Sequence, residues 1–160
     1  MGKQKILFVA MSLLLAFLLC GVSIAAYVIK EHKANEIEQG INGLLDSSPS
    51  DISSTGTAYI KLVELLCHTP EWEISDMNVN SAILLIKNNS IYQTENAAVL
   101  AAMGSRATKA LPELEGALKE TLEFESIKCP QDSKSSDDIK MAINVIKTPA
   151  SSSRCHKEAF

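Results

Sequence analysis

Cys67-His68 and Cys155-His156 are the two places where this chain sets a thiol beside an imidazole. Together the pairs have the composition of a Cys2His2 zinc site. Adjacent residues point in different directions, however, and neither pair has the two-to-four-residue spacing of structural zinc ligands. Helix-end capping and a surface position are the better expectation for these histidines. A thiol near a base is also the start of a nucleophilic site, so an enzyme with a site gathered from His68, Cys155 and His156 is one alternative function. The many serines fall in loop-like stretches without a G-x-S-x-G setting or a histidine placed to activate them. Glu113, Glu115, Glu120, Glu123 and Glu125 fall along one helix, at spacings that leave its outer face solvated. No glycine-rich phosphate loop is present. On these grounds no catalytic, metal-ligating or cofactor-binding residue is assigned, and the chain reads as non-enzymatic.

The remaining candidates are a cross-link and an aromatic anchor. Cys20 lies in an apolar stretch, and Cys67, beside Leu65 and Leu66, reads as a small buried hydrophobe. Cys129 and Cys155 flank the last helical stretch. A disulfide between them would close a loop of about 25 residues, worth about 3 kcal/mol in the loop-entropy account. The odd number of cysteines beyond the apolar stretch leaves other pairings open. Trp72, between Glu71 and Glu73, is the only tryptophan. Its ordinary role is to cover a core edge, and it is the first candidate for a partner-binding hot spot.

The elements that must position these residues begin with an apolar run. Ile6 to Ile29 carries no charge over 24 residues. As a helix it would be about 36 Å long, enough to cross a hydrocarbon core of roughly 30 Å. The sequence therefore predicts an uncleaved single-pass anchor over residues 1–29, in contact with the membrane through 6–29. Lys3 and Lys5 favour a cytoplasmic N-terminus in the inner (plasma) membrane and a periplasmic or extracellular remainder. The alternative is a signal peptide cut after Ser23-Ile24-Ala25, although its apolar region is longer than such segments usually are. Residues 34–160 hold 18 Asp and Glu against 11 Lys and Arg, and no basic cluster with interleaved aromatics offsets that excess. Such a surface repels phosphate backbones, so nucleic acid is not an expected partner.

Beyond the anchor the pattern predicts a stalk and linker over 30–57, a helical domain over 58–148 and a loose tail over 149–160. Ser47 to Thr57, rich in Ser, Pro, Gly and Thr, reads as a loop. Helical spacing then marks Ala58–Cys67, a stretch from Asp76 or Met77 to Lys87, Ala97–Met103 after a Thr94 cap, Leu111–Phe124, and Asp137–Lys147. No segment sustains the period-two alternation of a strand. The fold class expected is all-α.

One stretch is more specific. Asn96–Glu120 reads NAAVLAAMGSRATKALPELEGALKE. With Ala97, Leu100, Met103-Gly104, Ala107, Ala110, Leu111-Pro112-x-Leu114 and Leu118, it resembles one unit of the HEAT-like helical repeats. The resemblance implies a stack of helical hairpins. Ala97–Met103 and Leu111–Leu122 would pair antiparallel over a core of Leu100, Met103, Leu111, Leu114 and Leu118. It also implies an interaction surface rather than catalysis, because a single unit must stack on neighbours and such stacks present extended faces. The function expected is a membrane-anchored, non-catalytic module that binds an unidentified protein in the cell envelope. A pilin-like envelope subunit is a further alternative, without a matching processing site.

Overall fold

The computed structural model describes residues 2–47, 52–88, 90–127, 135–148 and 155, and every regular element among them is helical. There are six α-helices: α1 (Gly2–Leu45), α2 (Ile52–His68), α3 (Asp76–Asn88), α4 (Gln93–Ala102), α5 (Leu111–Ile127) and α6 (Ser135–Lys147). Short 3-10 segments at Glu71–Glu73, Ser90–Tyr92 and Gly104–Ala110 connect α2 to α3, α3 to α4 and α4 to α5.

The architecture turns on α4. All seven residues from Asn96 to Ala102 are buried, so beyond its half-buried first turn this helix is enclosed. A helix apolar all round is stable only when surrounded, and α4 is flanked by α2, α3 and α6. Ala97, Ala98, Ala101 and Ala102 keep it thin enough for close neighbours while favouring the helix intrinsically. Gly104 stops it with φ of 63°, a left-handed conformation that glycine adopts without a Cβ penalty. The chain then runs through the buried Ala107 and Ala110 and restarts at Leu111-Pro112, where a missing amide donor costs nothing.

Elements on either side are fastened by named contacts. Ser75 caps α3 reciprocally with Asn78: the Ser75 amide donates to Asn78 Oδ1 at 3.0 Å, and the Asn78 amide donates to Ser75 Oγ at 3.1 Å. Asn78 also reaches α1, donating through Nδ2 to the Ala34 carbonyl and to Glu38, while Ser81 donates to the other Glu38 oxygen. Ile37, Ile41 and Leu44 of α1 are buried in the same core as Leu66, Ile74, Leu85, Leu100, Met103, Leu114 and Ile139. Each such burial contributes about 1.5–3 kcal/mol of transfer free energy. At Gly40 a Cβ would meet Leu62 Cδ1 at 3.0 Å, which shows how closely α1 and α2 approach.

Four expectations are corrected here. Among the described residues no helix is long and apolar enough to cross a membrane, which overturns the transmembrane helix expected over 6–29. The apolar run is not a separate element but the start of the 44-residue α1. From Lys30 that helix becomes charged, and then it enters the core. Second, within the stretch expected as stalk and linker, Ile37, Ile41 and Leu44 are buried in the core. Third, the expected loop at 47–57 ends early. Helix α2 begins at Ile52 and continues through Ser54, Thr55, Gly56 and Thr57, with Thr55 buried. Tertiary packing outweighs the poor helix propensity of that stretch. Fourth, α4 and α5 are not each other's main partners, since both pack principally against α6. The seven-residue Gly104–Ala110 segment carries α5 away from α4, where a tighter turn would have folded it back.

Candidate binding groove

Helix α2 carries two apolar stripes. Thr55, Tyr59, Leu62 and Leu66 face the core. Gly56, Ile60, Val63 and Cys67 repeat the same four-three-four spacing one position on, and they form one wall of a groove with Glu64 and His68. Thr94, Glu95 and Ala98 of α4 form the facing wall, and Asp138 in the first turn of α6 joins them. The groove measures about 860 Å³. That lies within the roughly 300–1,000 Å³ typical of preformed binding sites.

One end is closed by a disulfide. Cys67 and Cys155 are bonded, with Cα atoms 5.7 Å apart, and both residues line the groove. The pairing expected between Cys129 and Cys155 is therefore corrected: Cys155 is joined to Cys67, and Cys129 lies outside the described residues. Cys67 shows no free thiol and is only half-buried, not the inert core residue its Leu-Leu-Cys setting suggests. No local spacing points to this bond, because it joins positions 88 residues apart.

Behind the groove wall lies a polar contact in the core. Tyr59, 3% exposed, donates its hydroxyl to Asn96 Oδ1 at 2.6 Å, and Asn96 Nδ2 donates to the Leu85 carbonyl at 3.1 Å. Burial pushes the Tyr59 phenol above its ordinary range, and the negative charge of Glu95 and the neighbouring Tyr92 push the same way. Tyr59 is thus a neutral donor at physiological pH. The Tyr92 ring lies 5.5 Å from that of Tyr59, and its buried hydroxyl has no hydrogen-bond partner among the described residues.

Among the described residues the lining contains three carboxylates, Glu64, Glu95 and Asp138, one histidine, and no lysine or arginine. His68 Nδ1 lies 2.7 Å from the Glu64 carbonyl, so Nδ1 carries the proton and donates. Of the residues considered for an enzyme, His68 and Cys155 both line the groove, with the Cys155 sulfur held in the disulfide, and His156 lies outside the described residues. Among the described residues no group of three or more His, Cys, Asp and Glu could hold a metal ion. Trp72 is 58% exposed on the Glu71–Glu73 segment and does not line the groove. Sequence reading missed the groove because the second stripe of α2 resembles a broad core face. The signal available was an apolar arc on α2 wider than one neighbour can cover.

No protein-family model, curated protein or solved structure matches this chain.

Proposed function

We propose that this chain is a non-catalytic helical module that binds a segment of another protein in the groove between α2, α4 and the start of α6. The observation that carries this reading is an apolar α2 stripe that the core covers only in part: Val63 and Cys67 pack against its edge, and Ile60 stays outside. Ile60 is 62% exposed beside Val63 on a wall held by the disulfide and a buried tyrosine. Apolar walls with a few fixed polar groups are the usual make-up of a preformed binding site. The disulfide supports an oxidising compartment, periplasmic or extracellular.

The test is site-specific photo-crosslinking in the native cells. A photoreactive residue at position 60 should trap one partner, and Val63→Trp, which places a bulky ring on the α2 wall, should abolish that product. The same probe at Glu120, on the solvent side of α5, should not trap it. Equal products from both positions, or a product insensitive to Val63→Trp, would exclude the groove as the binding face.

A further inference from the structure

Resting on that reading, we propose that the groove selects a peptide segment in which lysine or arginine alternates with apolar side chains. The argument starts from charge. Glu64 of α2, Glu95 of α4 and Asp138 at the α6 end all line the groove, and none of the described lining residues is a lysine or arginine. Neither Glu64 nor Glu95 is in an ion pair among the described residues, whereas six other carboxylates are: Glu36, Asp76, Glu113, Glu115, Glu123 and Asp137. The one basic residue of the lining, His68, turns its Nδ1 proton to its own helix backbone.

The apolar component comes from Ile60 and Val63 on α2 and Ala98 on α4. Any occupant takes water from this wall and from the carboxylates together. A purely apolar segment would desolvate Glu64 and Glu95 without compensation, and an acidic one would add repulsion. A long cationic side chain satisfies both requirements, because its methylene stem covers apolar surface while its head meets the carboxylates. The sign of the field also turns away nucleic acid.

The test uses the full chain with its disulfide intact and three labelled nine-residue peptides, followed by fluorescence anisotropy. One alternates leucine with lysine, one leucine with glutamate, and one serine with lysine. The leucine–lysine peptide should bind at least about tenfold more tightly than either of the others, a gap of about 1.4 kcal/mol. Glu64→Gln and Glu95→Gln should each weaken it by about three- to tenfold, as the loss of one charge pair predicts. Glu120→Gln should leave it unchanged, and circular dichroism should show each variant folded. Equal binding of leucine–lysine and leucine–glutamate peptides, both blocked by Val63→Trp, would overturn the charge selection and leave the groove reading standing. Binding that ignores Val63→Trp and the carboxylate variants alike would overturn both. Serine–lysine binding as tight as leucine–lysine would reduce the site to surface electrostatics and overturn the selection. Binding by none of the three would also overturn it.

Discussion

Tyr59 and Tyr92 are neighbouring rings with opposite hydrogen-bonding states, and the two should respond in opposite ways to loss of the hydroxyl. Tyr59→Phe removes a short bond to a buried amide and is expected to cost about 1–2 kcal/mol. Tyr92→Phe removes a buried hydroxyl that has no partner among the described residues, so it should be neutral or stabilising, because no desolvated donor remains. Urea denaturation of both variants measures the contrast, and equal losses would show that the Tyr92 hydroxyl is bonded. The raised phenol also sets a pH dependence. The folded state holds Tyr59 protonated beyond the ordinary tyrosine value of about 10, so its contribution is complete below that pH. As pH rises above it, the unfolded chain ionises first and stability falls. Tyr59→Phe should flatten that alkaline loss, as thermal denaturation between neutral pH and pH ~11 would show.

Among the helices, α5 separates core from surface over adjacent positions. Leu114 is fully buried, while Glu115 faces solvent and pairs with Lys147 at 3.0 Å. Leu114→Ala should cost about 2–5 kcal/mol, the range for emptying a leucine from a packed core. Glu115→Ala should stay within about 0.5 kcal/mol, since an exposed ion pair is worth little. Equal effects on denaturation would place Leu114 outside the core. Helix α4 is enclosed from Asn96 to Ala102, and Ala101→Leu should destabilise by about 1–3 kcal/mol through overpacking. A tolerated leucine there would mean that the central helix is loosely held.

At the scale of the whole molecule, the Cys67–Cys155 bond ties the residue beyond α6 back to the end of α2 across 88 positions. The loop-entropy account gives such a closure roughly 4–5 kcal/mol. Cys155→Ser should therefore lower stability by an amount of that order, and a reductant should then have no further effect. Cys129→Ser should leave the oxidised protein unchanged. Denaturation of both variants with and without reductant checks the pairing, and loss of reductant sensitivity in Cys129→Ser would refute it.

The all-helical class, the helical stretches within 58–148 and the Gly104 stop were legible in one dimension, because 3.6-residue periodicity and left-handed glycine are local properties of the chain. Leu100, Met103 and Leu114 were legible as core for the same reason. The role of residues 30–57 was not. Ile37, Ile41 and Leu44 look like a weak amphipathic stalk until α3 is packed on them, and Ile52–Thr57 looks like a loop until its buried Thr55 shows otherwise. The disulfide and the groove lie further from local reach. Cys67 meets Cys155, and Glu64 and Glu95 line one groove, only because α2, α4 and α6 pack around one another. Periodicity determines which residues of a helix share a face, whereas the partner of each face is chosen by burial over the whole chain.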